Sequence, residues 1–237
     1  IIKYDKCIMK KIEVFKQGVL EELPLQIGVF PFGIIYGIMA IESGLTPTQA
    51  FLMSSIIFGG ASQIAFVQLI SSTTPLGVIV TTVTAINSRH FLYSISMMEY
   101  LKNLSLTWRI VLSYLLTDEA YAVSIRRFIN EPSISFLHFH LLGTGITLFL
   151  SWQISTLIGV LVGGDLPQFL DLQFIIPLTF IAIIVPMIKS ISTFFVVIAS
   201  AFSGLILKSL DINFWIVISG MIGVVIGLTS SKLDKKR

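Results

Sequence analysis

The sequence predicts an all-α, polytopic membrane protein with about eight transmembrane helices. Three observations predict it. Of its 237 residues, 54% are hydrophobic and only 12% are charged, where a soluble domain carries roughly 25% charged residues. The apolar residues fall in runs of the length a bilayer requires, about 20 residues per helix. The cations gather between those runs and at the chain ends. So large an apolar surplus does not fit inside one soluble core and must face lipid. The net charge of +3 is not a nucleic-acid signature, because Lys and Arg do not form a basic face on a folded domain. The single cysteine, Cys7, makes no internal disulfide and carries no information about compartment.

Residues 1–22 read as a basic cytoplasmic arm containing Lys3, Lys6, Lys10, Lys11 and Lys16. The apolar run that follows, 23–41, has no small-residue cleavage site, so it is a retained first helix and not part of a signal peptide. The further spans are 48–70, 75–98, 108–127, 137–162, 172–188, 190–207 and 212–230. Lys189 leaves open whether 172–207 is two short helices or one kinked helix. The connections 42–47, 71–74 and 163–171 carry turn residues and no Lys or Arg. Residues 23–230 thus form a single transmembrane domain, and 231–237 a basic cytoplasmic tail.

Charge sets the orientation. With the N-terminus in the cytoplasm, the inner segments hold the five arm lysines, Arg126 and Arg127, Lys189, and Lys232, Lys235, Lys236 and Arg237. The outer segments hold Lys102, Arg109 and Lys208, and the 71–74 turn falls inside. Both termini are then cytoplasmic. Paired prolines, Pro24 with Pro31 and Pro177 with Pro186, suggest two interrupted helices. They do not occupy equivalent positions in two halves.

The polar residues within the first four spans share one depth. Pro31, Phe32 and Gly33 mark the middle of the first, and Gly59, Gly60, Ala61, Ser62 and Gln63 that of the second. Asn87, Ser88, Arg89 and His90 mark the third, and Thr117, Asp118 and Glu119 the fourth. A charged group at a helix centre costs about 2.5 to 3.5 kcal/mol on insertion scales. Arg89 carries a fixed charge, so pairing with Asp118 or Glu119 is the expected remedy. Pro31 removes a backbone donor, and Gly33 and Gly37 tolerate unwinding there. Gly59, Gly60 and Ala61 admit either close helix approach or a break whose free amides face a cavity.

The same residues have structural readings. The glycines suit a packing notch, Arg89 with Asp118 suits a plain structural ion pair, and Ser62 and Gln63 suit bonds to a neighbouring helix. Thr81, Thr84 and Ser88 make a polar stripe of the kind that packs more often than it lines a path. The common depth favours the functional reading. His138-Phe139-His140 is no metal pair, since residues i and i+2 diverge on a helix and no carboxylate is near in sequence. Val162-Gly163-Gly164-Asp165 and Ala201-Phe202-Ser203-Gly204 each lack the leading glycine of an intramembrane protease motif. No phosphate-binding loop is present. The sequence indicates neither an enzyme nor a cofactor, and transport would draw on a gradient or another subunit.

The midplane segments resemble the AzlC family, the large subunit of branched-chain amino-acid exporters. The resemblance rests on Phe30-Pro31-Phe32-Gly33 with Tyr36-Gly37, and on Phe58-Gly59-Gly60-Ala61-Ser62-Gln63. Asn87-Ser88-Arg89-His90-Phe91-Leu92-Tyr93 and Leu116-Thr117-Asp118-Glu119 complete it. Order and spacing agree over about residues 18–130. The resemblance implies proton-driven export of branched-chain amino acids across the bacterial cytoplasmic membrane, with a small AzlD-type membrane subunit as partner.

A zwitterionic substrate needs a partner for each charge and an apolar slot. Arg89, with amides near Gly60, Ala61 and Ser62, suits the carboxylate. Asp118 or Glu119 suits the ammonium, and Phe32, Tyr36 and Phe66 suit the slot. Gly33, Gln63 and Asn87 complete the expected substrate-binding set, and His90, Asp118 and Glu119 are the candidate proton carriers. An accessory scaffold subunit and a passive channel are the alternative readings.

Overall fold

A computed structural model of the chain describes residues 2–130, 136–163, 185, 188 and 190–234. The regular elements among them are helical, with no strand. They are α1 (Ile2–Glu22), a 3-10 turn (Leu23–Leu25), α2 (Gln26–Glu42), α3 (Pro47–Ile57), α4 (Gly60–Ser71), α5 (Leu76–Leu101), α6 (Leu106–Leu115), α7 (Asp118–Asn130), α8 (Leu137–Val162), α9 (Ile191–Ser209) and α10 (Trp215–Asp234). By length and composition, Lys11–Glu42, Leu137–Val162 and Ile191–Ser209 qualify to cross a membrane. The chain forms two compact units. One comprises Ile1–Ile64 with Asn87–Asp165, the other Ala65–Ile86 with Leu166–Arg237.

In the first unit α8 is the axis, and its small residues explain how the other helices reach it. α2 runs parallel to α8: Gly33 faces Ser155 and Trp152, Gly37 faces Thr156 and Val160, and Gly163 at the end of α8 meets Ile38 and Ile41. At Gly159 and at Gly37 an added Cβ would strike the partner helix's backbone, so the two helices touch main chain to main chain. α1 meets α8 near its start, where Gly18 lies on the His140 carbonyl and Gly143 on that of Phe15. The basic N-terminal segment is therefore a helix, packed against α8 over its later part.

The first span does not unwind as expected. α2 is helical through Pro31, which sits in its second turn and removes only one backbone donor. Gly33 and Gly37 serve instead as contact points for α8.

Two other spans break instead. The chain turns left-handed at Phe58 (φ 40, ψ 54), dividing the expected 48–70 helix into α3 and α4. It breaks again at Leu116 (φ −82, ψ 82), dividing the expected 108–127 helix into α6 and α7. These halves of 11, 12, 10 and 13 residues reach only about 15–20 Å each, against about 30 Å of hydrocarbon.

The 106–130 segment folds back on itself. Along α6, Trp108 packs on His138 and Phe139, and Leu115 abuts Gly145, so α6 runs parallel to α8. Along α7, Ser124 bonds Thr144 (3.1 Å), and Phe128 clusters with Leu137 and Leu141, so α7 runs back. The two form a re-entrant hairpin. The end of α5 joins the same cluster through Met97 and Leu101, beside the start of α8. Glu42 and Leu101 therefore lie at opposite ends of α8.

Two of the eight expected spans, 48–70 and 108–127, are thus each divided into two half-helices. Lys102 and Arg109 join the end of the unit that carries Lys11, Arg126 and Arg127, which strengthens the charge bias.

In the second unit α9 and α10 pack antiparallel. Ser192 bonds Ser230 (2.7 Å), Gly223 faces Ser200 and Val196, and Gly204 faces Ser219. Ser190 is extended and its side chain accepts a bond from the Thr193 amide (3.1 Å). A new helix thus begins just after Lys189. Ser71, Ser72 and Thr74 line one cavity of about 620 Å³ with Lys208, Asp211 and Trp215. The 71–74 turn and Lys208, expected on opposite sides, share one side. The 172–188 segment with Pro177 and Pro186 (Val185 and Ile188 apart), Asp165, Lys189 and residues 235–237 lie outside the described residues.

Candidate functional site

The tips of the half-helices meet. The Phe58 ring lies 5.9 Å from Tyr114 and 5.2 Å from Phe149, and the Tyr114 hydroxyl donates to the Ser55 carbonyl. Two helix starts open at this level, that of α4 at Gly60 and that of α7 at Asp118. Each has first-turn amides without a partner inside the helix and a positive dipole end.

Arg89 reaches this point from α5. Its Nη1 donates to Asp118 Oδ2 at 3.0 Å, with the two side chains 31% and 38% exposed. The expected ion pair is present and partly exposed. Glu119 interacts electrostatically with both Asp118 and Arg89. Asn87 and His90 lie against Gly59, their Oδ1 and Cε1 at 3.0 and 3.6 Å from where a Cβ would stand.

On α4, Ser62 donates to the Gly59 carbonyl (2.8 Å). Gln63 Oε1 accepts from the Gly59 amide (3.3 Å) and from Trp152 Nε1 (3.1 Å). Gly60 fits between Phe32 and Trp152, whose rings lie 5.9 Å apart. Any side chain at Gly60 would displace one of them. Ala61 is half-buried in the first turn of α4.

Several buried polar atoms here have no protein partner: Gln63 Nε2, Asn87 Oδ1, Arg89 Nε, His90 Nε2 and Thr117 Oγ1. An unpaired buried group costs about 1–3 kcal/mol. Five in one region mark a place built to hold something polar.

The structure thus gathers Phe32, Gly60, Ser62, Gln63, Asn87, Arg89, His90, Asp118 and Glu119. Tyr36 and Gly33 lie at its edge, the Tyr36 ring stacked on Trp152 with centroids 6.2 Å apart and Gly33 against the same indole. Tyr36 is fully buried and donates to the Ala50 carbonyl (2.8 Å), tying α2 to α3. Gly33 is covered by Ser155. Phe66 falls in the second unit. Thr81 and Thr84 are exposed, and the Thr81 hydroxyl bonds back to Gly77 (2.8 Å).

Some participants are not evident in the sequence. Trp152 looks like one more apolar residue of an apolar span, yet its indole N–H holds Gln63. His140 does find a carboxylate, contrary to the sequence expectation. Its Nε2 lies 3.0 Å from Glu21 Oε2 and its Nδ1 3.4 Å from Ser124. Glu21 also pairs with Arg127, which bonds Gln17 (2.9 Å). These residues are distant in sequence, so spacing offers no signal. His138 packs on Trp108 instead (5.0 Å). A cavity of about 410 Å³ opens beside them, lined by Glu21, Leu25, Val123, Arg126, Arg127 and Asn130. Glu22 lies completely buried at the end of α1. Among the described residues no group of three metal-ligating side chains is found.

Comparison with known proteins agrees with this picture. An uncharacterized membrane protein of Archaeoglobus fulgidus is 29% identical over 185 residues, covering 76% of this chain and 79% of the relative. The inner membrane protein YgaZ of Escherichia coli is 26% identical over 155 residues, 65% of this chain and 63% of that protein. An uncharacterized membrane protein of Helicobacter pylori (strain 26695) is 26% identical over 154 residues, 65% of this chain and 66% of its own length. The chain thus spans just under two thirds of YgaZ and of the Helicobacter protein. No solved structure matches the chain. The AzlC protein family matches residues 24–166, a stretch that contains Phe32, Gly60, Arg89, Asp118 and Trp152 but not Gln17, Glu21 or Glu22. This chain is a membrane protein of the AzlC family.

Proposed function

We propose that the chain is a secondary transporter that exports branched-chain or related apolar amino acids across the bacterial cytoplasmic membrane in exchange for protons. A small AzlD-type membrane subunit would be its partner. One observation carries the reading: two broken helices turn at the same level, and their starts flank an accessible Arg89–Asp118 pair among unpartnered buried polar groups. Broken helices whose N-termini face a polar site are a recurrent device for holding an anionic substrate group within a membrane. The inner-membrane relative supports the location.

In this mechanism the substrate carboxylate takes the Arg89 guanidinium and the first amides of α4, displacing Asp118. The ammonium takes Asp118, which keeps the local charge balanced. The apolar side chain lies against Phe32 and Trp152. Gln63 and Asn87 have capacity left to orient the polar end. His90, Asp118 and Glu119 are the groups able to exchange a proton as substrate leaves.

Counterflow in proteoliposomes tests this. Purified protein, with and without the small subunit, should exchange leucine, isoleucine and valine, and should not exchange glutamate or lysine. Absence of exchange for every apolar amino acid, with the subunit present, overturns the proposal.

A further inference from the structure

Two adjacent arginines of α7, Arg126 and Arg127, have different surroundings. Arg127 is built into the fold. Its guanidinium donates to Glu21 and to Gln17 (2.9 Å) on α1, and its side chain is 18% exposed. Glu21 in turn reaches the buried His140 of α8 (3.0 Å). Arg126 is exposed, and among the described residues it makes no hydrogen bond or ion pair. Val123, Arg126, Arg127 and Asn130 stand at i, i+3, i+4 and i+7, which is one face of a helix. That face, with Glu21 and Leu25, walls the cavity of about 410 Å³.

The charges of this wall do not cancel. Two guanidinium groups and one carboxylate leave one positive charge. Glu21 answers Arg127, so the uncompensated charge is that of Arg126. The last carbonyls of α7 contribute a partial negative charge of about 0.5, less than a guanidinium carries. Asn130 adds an amide donor on the same face. The ligand that fits carries a single negative charge and offers several oxygen acceptors to a planar fork. A phosphodiester meets both conditions. A zwitterionic amino acid fits less well, because Glu21, the one acid of the wall, is already engaged by Arg127 and His140.

The rest of the wall is apolar, and so are its surroundings. Leu20, Leu23 and Ile27, near Leu25 in the chain, are exposed, as is Ile129 on α7. Lys11, over the Phe136 ring at the start of α8 (4.8 Å), belongs to the same end of the unit, which the charge bias puts in the cytoplasm. A soluble anion gains nothing from that apolar rim. A lipid joins its phosphate to chains that cover it, and basic pockets between helices on the cytoplasmic side are a recurrent headgroup site.

We propose that this cavity binds the phosphodiester headgroup of an anionic membrane phospholipid. Arg126 and Asn130 contact the phosphate, Arg127 holds the wall to α1, and the acyl chains lie along the exposed leucines and isoleucines. No covalent bond changes, and the site does not depend on what the chain transports.

Native mass spectrometry of the full chain, released from mixed micelles holding equal amounts of phosphatidylglycerol and phosphatidylcholine, tests this. Wild type should retain one phosphatidylglycerol in preference to phosphatidylcholine. Arg126→Gln should lower that preference about fivefold, the worth of one cation near a membrane surface. Arg126→Lys should keep most of it, and Asn130→Ala should lower it by a smaller factor. Arg109→Gln, which removes an exposed cation at the same end but outside the cavity, should leave it unchanged. Excess inorganic phosphate should not displace the lipid. Equal retention of both lipids by wild type overturns the proposal, as does an Arg126→Gln protein with the wild-type preference. An equal loss in Arg109→Gln would show diffuse attraction and no site. Displacement by inorganic phosphate would make it a site for soluble anions and overturn the lipid assignment. Arg126 holds no other described part of the fold, so its variants should unfold at the wild-type temperature, which separates lost binding from misfolding.

Discussion

Replacing Gly159 by Ala tests the helix contact on which the site is built. A Cβ at Gly159 would collide with the Ile34 carbonyl oxygen and lie 2.9 Å from its carbon and 3.0 Å from Gly37 Cα. All three atoms are backbone, so no rotamer change relieves the clash and α2 must move away from α8. Overpacking of this kind costs about 1–3 kcal/mol. Alanine's better helix propensity returns about 0.5–1 kcal/mol. The net expectation is a loss of about 1–2 kcal/mol, near a tenfold shift in the folding equilibrium. Gly28→Ala is the matched control, because nothing stands within 4 Å of its Cβ position. It should gain stability by the propensity term alone. Gly37→Ala meets the Thr156 carbonyl and the Val160 amide. Once α2 has moved, the second substitution costs less, so Gly37→Ala with Gly159→Ala should be less damaging than the sum of the two. Reversible unfolding of the purified protein in mixed micelles reads all four variants. A Gly159→Ala protein as stable as Gly28→Ala would refute the main-chain contact.

Three other outcomes are expected. In a Cys7→Ser background, cysteines at Lys102 and Asn130 should react with an impermeant reagent from the same side, and reaction from opposite sides would restore a crossing helix at 106–130. Asp118→Asn should abolish the stimulation of efflux by a proton gradient while keeping part of the leucine counterflow, because exchange needs no net change in protonation; full pH-driven efflux would exclude Asp118 from coupling. Trp152→Phe, which removes the donor to Gln63 and keeps the aromatic wall, should weaken leucine affinity severalfold with little effect on folding, and unaltered affinity would remove Trp152 from the site.

The fold class was legible in the sequence because lipid imposes a length and a composition on every span. The 137–162 span matches α8 at both ends. The break at Gly59 was one of two readings that its glycines allow. The break at Leu116 was not legible, since no Gly or Pro marks it, and α6 together with α7 has the summed length of one crossing helix. Hydropathy counts apolar residues and does not distinguish a helix that crosses from one that returns. The Arg89–Asp118 pair was legible because an unpaired charge at that depth is costly. Tyr36 combines two roles that a tyrosine at midplane suits equally well, stacking on Trp152 and tying α2 to α3 through the Ala50 carbonyl. Glu21 and Glu22 fall in the segment read as a basic cytoplasmic arm, and as consecutive residues of α1 they point about 100° apart, so one reaches His140 and the other is buried.

The central claim is that Arg89, held at the meeting point of two broken helices, receives the substrate carboxylate. Leucine counterflow by wild type, Arg89→Lys and Arg89→Ala in matched proteoliposomes tests it most directly. The account predicts rapid exchange by wild type and a large loss in Arg89→Lys, where a point charge replaces the planar fork. It predicts no exchange by a folded Arg89→Ala protein. Counterflow by Arg89→Ala at the wild-type rate would contradict it.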